Sequence, residues 1–116
     1  MPFDFENLKI YHEAKKLNRE ILHFVKNNKH IDPYLRDQLR RASISIVLNI
    51  AEGSGKFSKA DKRNFYTIAR GSTYECVSVF DIIHDEKQLS DEEYKNLYQR
   101  YETISKMLLG LINSQK

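Results

Sequence analysis

Apolar residues recur along this chain at alternating steps of four and three, in four stretches separated by polar breaks. Ile10, Ala14, Leu17, Ile21 and Phe24 mark the first stretch. Residues so spaced share one helical face, and the pattern predicts a helix from about Glu6 to Lys26. Asn27-Asn28-Lys29-His30 lacks the pattern and reads as a loop. Asp32 can then cap free N–H groups, and Pro33 suits a first helical position because it has no N–H to satisfy. The second seam is Leu35, Leu39, Ala42, Ile46, Asn49 and Gly53. Gly53 and Gly55 are expected to end that helix, since glycine readily takes the left-handed conformation of a C-terminal cap. Ser58, with Asp61 three residues on, opens a third helix whose seam is Phe65, Ala69, Ser72, Cys76, Val79 and Ile83, ending near Lys87. Ser90 and Glu93 form a Ser-x-x-Glu capping box before a fourth seam of Tyr94, Leu97, Tyr101, Ile104, Leu108 and Leu111.

The seams follow the 3.5-residue repeat of bundle packing. Each predicted helix is about 30 Å long. The connections are short, which sets neighbours antiparallel. The expectation is an all-α, antiparallel up-down-up-down four-helix bundle, one domain over residues 1–116. Two Pro and four Gly suit a mainly helical chain. The lone cysteine, Cys76, forbids an internal disulfide and fits a reducing cytoplasm. No basic-then-apolar signal precedes Phe3-Asp4-Phe5, so a cytoplasmic location is expected. The densest apolar run, Ile44 to Ala51, is far too short to span a bilayer.

Folding the second helix back on the third about the Gly55–Ser58 turn sets Ala42 opposite Gly71, and Ser43 opposite Arg70 and Ser72. Small residues on both sides suit a close approach. Gly71 costs about 1 kcal/mol relative to Ala in a helix interior, so its presence suggests that a larger side chain does not fit. Asn49 lies on an apolar seam, where an unpartnered amide costs about 1–3 kcal/mol; Asn64 or Tyr66 is the expected partner. Glu52 is expected to pair with Arg63, and Glu75 with Arg41 or Arg40. Asn49, Glu52, Arg70, Ser72 and Glu75 then read either as a site or as the polar interior that sets a bundle's register, the reading favoured here. The second helix is also apolar off its seam, at Ile44, Val47, Leu48 and Ile50. A helix apolar all round must be covered all round, which points to a homo-oligomer interface at these four residues.

Charge adds a second theme. The net charge is +3, but residues 1–70 carry +6 and residues 71–116 carry −3. Lys9, His12, Lys16, Arg19, His23 and Lys26 form one stripe on the first helix, with Glu13 and Glu20 beside it. Lys56, Lys59, Lys62 and Arg63 surround the second turn, and Arg36, Arg40 and Arg41 lie on the second helix. Rows of Lys and Arg suit phosphate backbones, because each neutralised phosphate releases counterions. They equally suit plain solvated helix faces. No motif for sequence-specific readout is present.

Catalytic chemistry finds little footing. His12 and His23 share a face but lie about 16 Å apart. No Glu-x-x-His pair of the di-iron type occurs, and His84-Asp85-Glu86 sits where it would complement a helix end. Gly53-Ser54-Gly55-Lys56 lacks the spacing and preceding strand of a phosphate loop. Cys76 sits on an apolar seam as inert core. We expect no catalytic residue, metal or cofactor, and so no enzyme.

The run Asn49-Ile50-Ala51-Glu52-Gly53-Ser54-Gly55, followed by Ser58 and by Ala69-Arg70-Gly71-Ser72 with Glu75, resembles the four-helix-bundle proteins encoded by intervening sequences of bacterial 23S rRNA genes. Those proteins are similar in turn to the accessory variability proteins of diversity-generating retroelements. The resemblance extends from Phe5-Glu6-Asn7-Leu8 to about Asp81. Ser45 is followed by Ile46 and Val47, where the family more often has Pro, so a kink candidate is missing from the second helix. The resemblance implies a ring-shaped homopentamer. It also implies RNA or DNA as a partner, and a reverse transcriptase or another nucleic-acid-processing protein beside it. Two functions follow: a non-enzymatic, homo-oligomeric accessory protein that holds nucleic-acid phosphates on basic helix faces, or a structural, protein-binding oligomer with no nucleic-acid role.

Overall fold

The computed structural model describes residues 2–116. A 3-10 turn, Asp4–Asn7, precedes four α-helices: α1 (Lys9–Asn27), α2 (Pro33–Ser54), α3 (Lys59–Asp85) and α4 (Asp91–Asn113). The described residues contain no strand, and the helices pack side by side as an all-α four-helix bundle measuring 44 × 24 × 21 Å.

Local chemistry sets the helix starts. The Asp32 carboxylate accepts the Tyr34 N–H at 2.7 Å, with Pro33 at the first position of α2. Ser58 Oγ accepts the Asp61 N–H at 3.0 Å. Ser90 and Glu93 form the reciprocal capping box of α4. Each satisfies N–H groups that a helix end leaves without internal partners. The first helix is the exception. It starts at Lys9 rather than Glu6, because the chain first makes the tighter 3-10 turn, and Leu8 caps α1 without a side-chain hydrogen bond. The His12 ring holds that turn, with Nε2 2.8 Å from the Glu6 carbonyl oxygen.

Helix ends depart from expectation in one respect. Gly55 has φ −88°, in the right-handed region, so α2 does not end through a left-handed glycine. Lys62 Nζ instead donates to the Ser54 carbonyl at 2.8 Å and caps the end of α2 from α3. Among the described residues only Lys87, in the α3–α4 turn, has positive φ, at 61°.

The four apolar seams meet in one core. Ile10, Ala14, Leu17 and Ile21 of α1 are buried, as are Leu39, Ala42, Ile46 and Ile50 of α2. Ala69, Cys76, Val79, Phe80 and Ile83 of α3 join Tyr101, Ile104 and Leu108 of α4. Phe24 packs on Phe80, and Phe80 on Tyr101, with ring centroids 5.5 and 6.0 Å apart. Ile31, from the α1–α2 loop, is fully buried beside them.

The register of α2 against α3 differs from the simple fold-back. Ser72 Oγ donates to Ser45 Oγ at 2.8 Å, and Gly53 lies against Phe65 and Tyr66. Contacts between these helices therefore run in opposite sequence order, but displaced by about one helical turn from the Ala42–Gly71 pairing. The connection is Gly55–Ser58 as expected, so the displacement lies in how far the two helices are set along each other across it. Gly71 is exposed, and a Cβ added there meets nothing within 4 Å. The close approach is at Gly53 instead, where a Cβ would come within 2.8 Å of Tyr66 Cε1 and 2.9 Å of Phe65 Cβ.

Candidate nucleic-acid interface

Helix α1 separates its two faces cleanly. Lys9, Lys16, Arg19 and Lys26 are all exposed, on the side away from the buried Ile10, Ala14, Leu17 and Ile21. Among the described residues none of these four cations makes an ion pair. The acidic neighbour Glu20 turns to α4 and binds Arg100, Nη2 to Oε2, at 2.5 Å. The Arg100 hydrogen bond holds the Glu20 carboxyl below its usual range, and Glu20 in turn raises Arg100. Glu20 thus pairs directly with α4, and of the stripe only Lys16 is near enough to act on its charge.

The other two basic clusters are partly spent. Arg40 and Arg41 both bind the Asp37 carboxylate, at 2.7 and 2.9 Å, and these two hydrogen bonds lower its pKa. At the α2–α3 turn, Lys62 caps α2, and Arg63 Nη1 donates to the Gln115 carbonyl near the end of the chain. Lys56 lies over the Phe65 ring, 4.9 Å from its centroid. Lys59 is exposed. Of the four cations expected at this turn, Lys62 and Arg63 donate to backbone carbonyls, Lys56 is partly exposed on Phe65, and Lys59 is open to solvent.

Of the polar block Asn49, Glu52, Arg70, Ser72 and Glu75, Ser72 alone makes a hydrogen bond between α2 and α3 among the described residues. Asn49 is half-buried and its amide donates within its own helix, to the Ser45 carbonyl at 2.8 Å and to Ser45 Oγ at 3.0 Å. It bonds neither Asn64 nor Tyr66, because Ser45 one turn back is nearer. Ser72 reaches Ser45 across the helices. Ser43 faces α1, donating to Asn18 Oδ1 at 2.7 Å. Arg70 turns to α4, with Nε 3.4 Å from the Ser105 carbonyl oxygen and Nη2 3.2 Å from Tyr74 Oη. Glu52 and Glu75 are exposed and form no ion pair with Arg63, Arg40 or Arg41, whose guanidinium groups are engaged elsewhere.

The supposed oligomer face also divides. Ile50 is 0% and Val47 8% exposed, so both belong to the chain's own core and are not available to a partner. Ile44 is partly buried and Leu48 is 60% exposed. The burial of Val47 and Ile50 follows from α2 packing against both α1 and α3, which covers more of its circumference than one seam suggests.

One feature escapes the seam-by-seam reading. Between α3 and α4 runs an open groove of about 620 Å³, walled by Tyr74, Tyr94, Tyr98 and Tyr101. Arg70 and Lys106 lie toward one end, Asp81 toward the other. Tyr94 Oη donates to Asp81 Oδ1 at 3.0 Å, and the Arg70 guanidinium lies 5.1 Å from the Tyr74 ring centroid. The signal was the density of tyrosines on α4, but Tyr94 and Tyr101 are also seam positions and so read as core. Only Tyr101 is fully buried. Its hydroxyl finds no partner of hydrogen-bonding geometry, and burial, with Cys76 next to it, pushes its pKa well up. Burial also raises the Cys76 thiol to about 12, which keeps it protonated and unreactive near neutral pH.

Among the described residues no helix is long and apolar enough to cross a membrane. What the geometry defines is an all-α bundle with a cationic face on α1 and a tyrosine-lined groove between α3 and α4. Residues 6–110 match the model of the 23S rRNA-intervening sequence protein family, and the chain belongs to that family. A solved structure from Bacteroides thetaiotaomicron VPI-5482, described as a protein with unknown function from the S23 ribosomal protein family, shares the fold. Its TM-score is 0.84 at 22% identity, over 89% of this chain and 97% of that one. No curated protein matches the chain.

Proposed function

We propose that the protein is a non-enzymatic, homo-oligomeric accessory protein that holds RNA or DNA by its phosphates along the outer face of α1. The observation that carries this reading is the row Lys9, Lys16, Arg19 and Lys26, exposed and free of ion pairs on the face opposite the core. The row extends about 26 Å at the helical rise, long enough to track several successive phosphates. Repetition of the row in an oligomer strengthens a modest single-copy attraction, since linked weak contacts act at high effective concentration. The exposed Leu48 and the partly buried Ile44 favour such an assembly. Membership of the 23S rRNA-intervening sequence protein family supports a nucleic-acid setting, and a reverse transcriptase or another nucleic-acid-processing enzyme is the partner class we propose.

The test is a fluorescence-anisotropy titration against unrelated RNA and DNA strands at several salt concentrations. Binding should weaken linearly on a log–log plot, with a slope of about 0.7–0.9 per phosphate contact. Replacing Lys9, Lys16, Arg19 and Lys26 together by Gln should flatten that slope equally for every sequence, because phosphate contacts carry no base information. Absence of binding by the wild type would overturn the nucleic-acid reading and leave a protein-binding oligomer.

A further inference from the structure

The tyrosine groove between α3 and α4 has no role in the phosphate row on α1, and the outward row of α2 has no role in the core. Their chemistry is complementary. Along the groove, α3 presents Arg70, Tyr74, Val77 and Asp81. Along its outer face, α2 presents Arg41, Ile44, Leu48 and Glu52. Both rows advance by steps of three and four, so each is one helical stripe. Both extend eleven residues from a cation to a carboxylate, about 16 Å at the helical rise.

We infer that the groove is the seat for α2 of a second copy of this chain, an inference that rests on the homo-oligomer reading above. Laid antiparallel to α3 of its neighbour, α2 brings Arg41 to Asp81 and Glu52 to Arg70, with the exposed Arg41–Asp37, Tyr94–Asp81 and Arg70–Tyr74 contacts of the single chain shared or exchanged on docking. Ile44 and Leu48 then enter between the Tyr74 and Tyr98 rings, which are 59% and 46% exposed in the single chain. The parallel arrangement would set Arg41 on Arg70 and Glu52 on Asp81, so like charges exclude it. An apolar helix ridge in an aromatic groove is a common mode of helix recognition. Tyrosine and arginine are also the side chains that most often dominate interface energies. Ridge and groove lie on different faces of one chain, so the contact is head-to-tail and leaves a free ridge and a free groove on every pair. Such an interface adds copies one after another, into a ring where the rotation between them closes and into an open filament where it does not.

Head-to-tail geometry makes a sharp test. Leu48→Glu removes the ridge and Tyr98→Glu removes the groove, both at exposed positions, with circular dichroism to check that each variant keeps its helices. By light scattering each variant alone should be a monomer of 13.7 kDa. Mixed one to one they should form a dimer of twice that mass, because one intact ridge meets one intact groove and nothing further can add. A chain carrying both Arg41→Glu and Asp81→Lys should assemble better than either single change. A wild type that is itself monomeric would sink the oligomer reading along with this inference. A wild-type oligomer whose Tyr98→Glu variant assembles normally, or whose two variants fail to pair on mixing, would overturn the inference alone.

Discussion

Helices α1 and α2 lie side by side, are of similar length and divide their residues by opposite logic. On α1 the buried positions are apolar and the outward ones charged. On α2 the serines Ser43 and Ser54 are 2% and 5% exposed, whereas Leu48 stands 60% in solvent. The difference follows from neighbours. Helix α1 meets water over one whole side, so its sequence records a simple partition between core and solvent. Helix α2 packs on both α1 and α3. Ser43 and Ser45 serve as cross-helix hydrogen-bonding points there, and Leu48 shares the surface that is left with Arg40, Arg41 and Glu52. A polar residue inside with an apolar one outside is costly for a free monomer and reasonable for a subunit.

The largest effect that can break this comparison is at Ile50 and Leu48, two residues apart on α2. Ile50→Ala should cost about 2–5 kcal/mol, because it opens a cavity in a fully buried site. Leu48→Ala in dilute protein should change stability by less than about 0.5 kcal/mol, as outward substitutions generally do. Urea denaturation measures both. Equal losses would mean that Leu48 belongs to the core and that α2 has no spare face.

A second effect separates two glycines. Gly53→Ala should destabilise by about 1–3 kcal/mol, since the new methyl meets Tyr66 and the Phe65 Cβ at under 3 Å. Gly71→Ala should be neutral or stabilise by up to about 1 kcal/mol, because that site is open and alanine is the better helix former. Thermal melting of the two variants should move in opposite directions. A loss at Gly71 and none at Gly53 would restore the fold-back register that the structure displaces.

The same contrast explains what was legible beforehand. The four helices, the Asp32, Ser58 and Ser90 caps and most of the core follow from local spacing and local hydrogen bonds, which sequence states directly. The register of α2 on α3 does not, because the Gly55–Ser58 connection fixes where the helices end but not how far one is set along the other across it. The basic stripe of α1 was legible because a stripe is a one-helix property. The contacts of the turn cluster were not legible, since whether Lys62 and Arg63 reach solvent or a carbonyl depends on α2 and α4 ending beside them. The tyrosine groove was invisible for the same reason. It belongs to two helices, and neither one's period reveals a gap between them.

The smallest predicted effect concerns the acidic flank of α1, and pH isolates it. Arg100 holds the Glu20 carboxyl below its ordinary value of 4.5 through a hydrogen bond. A carboxylate whose folded value is depressed adds stability above its unfolded value and loses it as pH falls through the folded one. The Glu20–Arg100 pair should therefore stabilise the fold near neutral pH and cease to do so somewhat below 4.5. Both partners are partly solvated, at 52% and 31% side-chain exposure, so water screens the pair and its contribution should stay under about 1 kcal/mol. Glu20→Gln should lower urea-denaturation stability by that amount near neutrality and by progressively less in acid, and added salt should shrink the gap. Replacing Arg19 by Gln should show no comparable acid-dependent difference, since Arg19 makes no ion pair among the described residues and is not among the groups that act on Glu20. If Arg19→Gln behaved like Glu20→Gln, the cationic row of α1 would be engaged in holding the bundle together and would no longer be free for phosphate.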